Sequence, residues 1–432
     1  MGGIPPRMKR QLYGTPMTDE TTTNTASLTR SPAFIFIFVT VLLDILSVGI
    51  IIPVLPKLVQ TLLGGDVLKT AQLFGWFISV WAVMQFLFSP VMGALSDHFG
   101  RRPVILTSNL ALGIDYVIMA LAPNLWILFA GRIVSGIASS TISTAQAYIA
   151  DITAPENRAG AFGMLGAAFG VGFVLGPALG GILGHYDLRL PFVAAAVMSL
   201  ANFVYGYFIL PESLPIEKRS PFKFSRANPV ASINMLARDG QLLRLGIIGF
   251  LSELSHQVLP AVTVLYMGYR YGWDERSVGL VLAFVGVCTM VVQGGLVRPV
   301  VAKIGEKAAL LIGLAAGALG FAIYGFAPTG ALFLIGVPVM ALLGFSRSSN
   351  SALMSRRVGA DEQGKLQGAA ASLMALSGLV GPWVFALTFA YAIDPAKGLM
   401  VPGLPFYLSA GAMALAVFVA LGVKQADKPD DA

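Results

Sequence analysis

Twelve stretches of largely apolar residues run through this chain of 432 residues, each long enough to cross a bilayer as a helix of about 20 residues. They lie near 33–56, 71–95, 103–122, 124–149, 160–184, 190–210, 241–267, 276–297, 306–327, 330–354, 365–390 and 401–422, taken here as spans 1 to 12. Hydrophobic residues make up 56% of the chain and charged residues 12%, with a mean hydropathy of +0.76. A soluble domain carries about 25% charged residues, so this chain lacks the polar surface to cover a water-exposed core. Its 48 glycines suit close helix approach in lipid. The expected fold class is an all-α membrane protein of twelve transmembrane helices in two six-helix bundles.

Most connections between spans are short. The exception is 211–240, which contains PESLPIEKRSPFKFSRANP and divides the spans six and six. The expected organisation is a tail over 1–32, a six-helix bundle over 33–210, a linker over 211–240, a second bundle over 241–422 and a tail over 423–432. Residues 1–32 are polar and Thr-rich, show no cleavable signal peptide and read as disordered; Met17 is an alternative start. The formal net charge of +7 does not point to nucleic acid, because the basic residues follow the loops rather than one soluble face. If the N-terminus is cytoplasmic, only Lys57, Lys69, Arg189, Arg270, Arg276 and Lys397 fall outside, while Arg132 and Arg347 are mid-span and all other basic residues fall inside. The positive-inside rule therefore predicts that both termini are cytoplasmic. Trp76, Trp126 and Trp273 would then anchor the outer interface. Cys288, the one cysteine, excludes a disulfide framework and reads as a packing residue.

The halves repeat at an offset of 205 residues. Gly100-Arg101-Arg102 matches Gly305-Glu306-Lys307, Gly163 matches Gly368, and Gly176-Pro177 matches Gly381-Pro382. A parallel repeat of this kind relates two bundles about the membrane normal, with a substrate site at mid-membrane between them.

Between spans 2 and 3 stands Gly93-Ala-Leu-Ser-Asp97-His-Phe-Gly100-Arg101-Arg102. Glycines permit a tight turn there, and the Asp and Arg side chains can pair or cap a helix end. Span 1 holds Leu43-Asp44 with Gly49, Pro53 and Pro56; span 4 holds Gly131-Arg132 with Gly136 and ends Ala147-Tyr-Ile-Ala-Asp151; span 5 holds Gly172, Gly176-Pro177 and Gly180-Gly181. The GxLxDxxGRR turn resembles the signature loop of the major facilitator superfamily. GxxxGPxxGG in span 5 is similar to the antiporter motif of its proton-coupled drug exporters. Together these motifs resemble the tetracycline-resistance branch, best over about 40–185 and less closely beyond. The resemblance implies a secondary transporter and not an enzyme. It implies that Asp97 faces the start of span 11, that Arg101 pairs with Asp151, and that the turn latches the halves on the cytoplasmic side in the outward-open state. It also implies a bacterial inner membrane. Tetracycline exporters of the best-known classes carry an acid in the ninth span; here that region reads LLIGLAAGALGFAIYGF, which points to a different coupling site. The PES-LP linker is similar to that of animal orphan carriers of the same superfamily.

Charges inside spans are costly, about 2.5–3.5 kcal/mol each at mid-bilayer, and usually face a partner or a wet cavity. They are Asp44, Asp115, Arg132, Glu253 and Arg347, with His256 one turn from Glu253. Asp115 and Arg132 lie equally far from the turn at Pro123-Asn124, about 13 Å down each helix, and are expected to pair. Asp44 and Glu253 fall near mid-depth on the first helix of each half. Burial favours a protonated carboxyl and a nearby cation favours an ionised one, so acids beside one Arg suit proton exchange. Asp44 ranks first as proton carrier or substrate counter-charge, and Glu253 with His256 second. Arg347, nearer the cytoplasm, is expected to snorkel. Trp81, Gln85, Tyr116, Gln146, Gln257 and Trp383 are candidate substrate contacts, the amides because buried amides need partners.

The favoured reading is a proton-coupled exporter of amphipathic small molecules that works as a monomer by alternating access. The alternative is a proton-coupled importer or metabolite carrier on the same scaffold, since one fold hosts many functions. Three scattered histidines, His98, His185 and His256, suggest no metal cluster, and no phosphate-binding GxxxxGK[ST] loop occurs. No cofactor is called for.

Overall fold

A computed structural model describes residues 32–139, 141–154, 157–220, 235–359 and 362–424. Nearly all of the expected tail over 1–32, the alternative start at Met17, residues 221–234 of the linker and 425–432 of the last tail lie outside the described residues. Twelve helices are long and apolar enough to cross a membrane. They are α1 (Phe34–Ile51), α2 (Val67–Phe99), α3 (Arg101–Leu121), α4 (Leu125–Ile152), α5 (Gly160–Tyr186), α6 (Leu190–Ile209), α7 (Gly240–Tyr271), α8 (Glu275–Ile304), α9 (Glu306–Phe326), α10 (Gly330–Ser355), α11 (Gln363–Ile393) and α12 (Leu404–Leu421).

Several helices outrun the apolar stretches that announce them. α2 begins at Val67 rather than near 71, because the Asp66 side chain accepts from the Lys69 amide and caps the first turn. That backbone bond, more than the Lys69 ammonium, holds the Asp66 carboxyl below its usual range. Asn124, Asp239, Asp274 and Thr329 cap α4, α7, α8 and α10 in the same way. At the far end α2 runs to Phe99 and stops at Gly100, whose φ of 105° few side chains tolerate. Gly305 repeats that device between α8 and α9 with φ 81°.

Other helices are broken where the sequence pattern ran on. α1 ends at Ile51, and the chain turns past Pro53 into a short helix, Leu55–Leu62. α7 is two pieces, Gly240–His256 and Val258–Tyr271, because the ring of Pro260 disrupts the bond to the His256 carbonyl. α8 carries a π-helical turn over Val291–Leu296.

The first six helices pack mostly among themselves, as do the last six. α1 lies on α5 and α6, and α3 lies on α6; α9 lies on α10 and α12, and α7 lies on α11 and α12. Two seams join the sets, α2 with α11 and α5 with α8. Both seams are tight toward one end of the molecule. Ser79 Oγ of α2 donates to Leu379 O of α11 at 3.1 Å, the Trp76 and Trp383 rings meet at a tilt with centroids 5.9 Å apart, and a methyl on Gly181 of α5 would stand 2.8 Å from Gly279 Cα of α8. Toward the other end, where the turns at Gly100 and Gly305 lie, the same four helices part. Among the described residues, a methyl added to Gly93, Gly163, Gly166, Gly294, Gly295 or Gly364 would meet no atom within 4 Å. The described residues are therefore closed at one end and open at the end that carries these two basic turns.

Candidate functional site

The mid-span charges fall into two groups, one in each set of six helices. In the first, Asp44 is buried, and its Oδ1 accepts from Asn202 Nδ2 of α6 at 3.4 Å. Asn202 is itself held by Thr40, whose Oγ1 donates to the amide oxygen at 3.1 Å. Among the described residues the other Asp44 oxygen has no hydrogen-bond partner, and neither has either oxygen of Asp115. Asp115 is buried against Gly131 of α4. The expected Asp115–Arg132 ion pair does not form within 4.0 Å. Arg132 turns instead toward α2, with its guanidinium 5.4 Å from the Trp81 ring and its Nε donating to Phe77 O at 3.5 Å. A planar cation gains from an aromatic face where a flexible ammonium would not stack. Tyr116 is buried among these groups, close enough for Asp115, Arg132 and Asp44 all to act on its hydroxyl.

In the second group Glu253 and Arg347 form a bidentate pair. Arg347 Nε donates to Oε1 at 2.9 Å and Nη2 to Oε2 at 3.0 Å. Arg347 therefore does not snorkel; its guanidinium turns inward to α7. Glu253 takes Arg347 rather than His256 as its partner, and His256 lies within electrostatic reach of Arg347.

The antiporter-like face of α5 lies at the junction of the halves. Gly172 packs on Ile45, Gly176 on Gly49, and Gly180 on the backbone of Ile50, so this face abuts α1. Gly181 and the Pro177 carbonyl meet Gly279 of α8. At the closed end His185 of α5 and Asp274, the cap of α8, stand 3.1 Å apart.

The description Major Facilitator Superfamily matches residues 37–382. The chain belongs to the major facilitator superfamily. It is 41% identical over 380 residues to "Tetracycline resistance protein, class C" of Escherichia coli, covering 87% of this chain and 94% of that one. It is 36% identical over 359 residues to the class G protein of Vibrio anguillarum, covering 82% and 90%. Among solved structures, the nucleoside transporter NupG superposes with a TM-score of 0.73 at 12% identity over 90% of this chain and 98% of that one, a likeness of fold. This chain is thus a multi-pass membrane transporter of that superfamily, which is not a family of enzymes, and it is related to tetracycline resistance proteins.

The superfamily's signature loop, here 93–102, is built around Arg101. Its Nη1 donates to Asp97 Oδ1 at 2.5 Å and to Ser96 Oγ at 2.6 Å, and its Nε to Asp151 Oδ2 at 3.1 Å. Asp97 thus turns back one helical turn to Arg101, and among the described residues it makes no bond to the start of α11. Sequence reasoning missed Glu212, whose carboxylate accepts from the amides of Arg101 at 2.9 Å and Arg102 at 3.2 Å and caps α3. Arg102 Nη2 donates to Tyr207 O at 2.7 Å. It also missed Asn202; an asparagine in an apolar span was the available signal.

The candidate substrate contacts are scattered. Trp81 stacks on Arg132, Tyr116 is buried in the acid cluster, and Trp383 meets Trp76 at the closed end. Gln257 lies against Gly381 and Gly378 of α11. Gln85 is half-buried, and Gln146 is exposed. Of the three tryptophans expected as interfacial anchors, Trp126 is 81% exposed, whereas Trp273 packs on Tyr271 and Phe333.

Proposed function

We propose that this chain is a proton-driven exporter of amphipathic small molecules in a bacterial inner membrane, working as a single chain, with its open, basic end in the cytoplasm. The observation that carries the proton is the first charge cluster. Asp44 and Asp115 are buried carboxyls with no cation within ion-pair distance among the described residues, yet both lie near Tyr116 beside Arg132. Their protonation depends on how close the guanidinium stands. Arg132 is held on α2 by Trp81 and the Phe77 carbonyl, and α2 forms a seam with the other half. A movement of α2 that opens one end and closes the other therefore shifts Arg132 relative to the acids. The orientation rests on the basic loops, and the export reading on the span 5 motif and the relation to tetracycline resistance proteins. Amphipathic polycyclic compounds are the proposed cargo, with tetracycline the first to try.

The test is purified protein in proteoliposomes with a trapped pH dye. Addition of a transported compound should move protons in the opposite direction, and an imposed pH gradient should drive its accumulation. Accumulation that ignores the gradient would reduce the protein to a facilitator. Proton movement in the same direction as the compound would make it a proton-coupled importer or metabolite carrier.

A further inference from the structure

Glu253 and Arg347 are the one ion pair among the described residues with both members deep within spans. Arg347 is 47% exposed and Glu253 19%. A half-exposed guanidinium at that depth faces either lipid or water, and lipid is the costlier by about 2.5–3.5 kcal/mol. The rotation of α10 decides which. Ser346 packs into Gly313 of α9, on one side of the helix. Gly344, three residues before Arg347, rests against Gln293 of α8; Asn350, three residues after it, donates to Leu245 O of α7 at 3.3 Å. Residues three apart share a helix face, so Arg347 looks between α7 and α8. α8 forms one seam with the first six and the second piece of α7 touches α2, so this face looks into the space between the halves, which among the described residues is open toward the basic end.

The guanidinium is only partly used. Nε and Nη2 are taken by Glu253, while Nη1 donates to nothing among the described residues. Gln293, exposed on the π-helical turn of α8, lies against Gly344, about one turn from Arg347 along α10. π-turns interrupt a helix at a cost and recur at functional sites.

We propose that Glu253, Arg347 and Gln293 form a substrate subsite in the C-terminal half for the polar head of an amphipathic zwitterion. The free edge of Arg347 takes an anionic oxygen, such as a carboxylate or enolate. Glu253 takes the neighbouring ammonium or hydroxyl donor, and the Gln293 amide adds a neutral contact. The pair remains intact while cargo binds, so the subsite needs no proton of its own. The inference rests on the transporter reading of the open space and names the class of cargo.

The experiment uses full-length protein in lipid nanodiscs and three fluorescent probes with one shared aromatic body and an ammonium, a carboxylate or both. Wild type should bind the zwitterion most tightly. Arg347→Ala should weaken the anion by about tenfold or more, the scale of a lost charge-assisted bond, weaken the zwitterion relative to the cation by a similar factor, and bind the cation at least as tightly as wild type does, because Glu253 is then unpaired. The double variant Glu253→Arg/Arg347→Glu keeps an ion pair between α7 and α10 but moves the guanidinium to the less exposed site. It should unfold near the wild-type temperature and still bind the anion about tenfold more weakly. If the double variant regains wild-type ranking, the pair is a strut and the proposal falls; equal binding of all three probes by wild type overturns it too. Counterflow of the zwitterion needs no proton gradient. Intact ranking and counterflow without proton movement would defeat the exporter reading alone, and proton movement with the ranking lost would defeat the subsite alone.

Discussion

In the first six helices Arg101, at the start of α3, holds Asp151 at the end of α4 at 3.1 Å. In the last six, Glu306 at the start of α9 holds Arg356, just past α10, at 2.7 Å. Each partner is displaced by the same 205 residues as the glycine repeat, from Arg101 to Glu306 and from Asp151 to Arg356. The corner has kept its ion pair and reversed its polarity. A helix N-terminus favours an anion, so Glu306 suits its place and Arg101 does not. The first half makes up the deficit with Glu212, which brings a carboxylate to the α3 amides. The mid-span charges show no such repeat. Asp44, Asp115 and Arg132 correspond to Gly249, Gly320 and Val337, and Glu253 and Arg347 correspond to Val48 and Ile142. The corner pair belongs to the architecture common to both halves, whereas the central charges divide the work between them.

The sharpest way to break that division is to exchange the roles of the halves. Asp44→Asn and Asp115→Asn should each bring substrate-driven proton movement to the level of empty vesicles while counterflow persists, because Asn keeps the shape and hydrogen bonds but exchanges no proton. Glu253→Gln should keep proton movement and change probe binding. The reverse result, coupling lost in Glu253→Gln and kept in both aspartate variants, would place the proton path in the second half.

A smaller effect is expected at the corners. Arg101→Ala should cost about 3 kcal/mol, since it leaves Asp151 partly buried without its cation. The reversed pair Arg101→Glu/Asp151→Arg should recover about half of that loss. The remainder reflects repulsion between the new glutamate and Glu212, so adding Glu212→Gln should recover most of it. Thermal unfolding in detergent reads all three. No recovery in the reversed pair would mean that the two corners are not equivalent.

The smallest effect concerns the closed end, where His185 and Asp274 join the halves. Hydrogen bonds from Ser277, with a smaller contribution from His185, hold the Asp274 carboxyl below its usual range. Its share of the closure is therefore present at any pH above the ordinary carboxyl range of about 4, and lost only as pH falls through the lowered value. Spin labels at Tyr186 and Arg276, in a Cys288→Ala background, should report a modestly broader distance distribution in Asp274→Asn than in wild type at neutral pH, because the amide keeps the cap but not the charge that faces His185. An unchanged distribution would assign the closure elsewhere.

The number of spans, the repeat and the signature turns were legible because each depends on local composition: apolar length, glycine where φ is positive, and Asp or Asn before a first helical turn. Helix ends were less legible, since α2 and α8 continue past their apolar stretches under the control of caps such as Asp66 and glycines such as Gly305. Depth along a span is also a local count, and it placed Asp115 level with Arg132. Pairing is not local. Rotation of α4 carries Arg132 to Trp81 and leaves Asp115 with no hydrogen-bond partner among the described residues, rotation of α10 carries Arg347 to Glu253, and the linker returns Glu212 to α3. The sequence by itself determined that this is a twelve-span membrane protein of two like halves, because lipid requires each segment to satisfy its own backbone. Only the tertiary structure decided which charges meet and which end is open, because side-chain partners depend on how helices rotate and tilt against one another, and apolar spans encode that weakly.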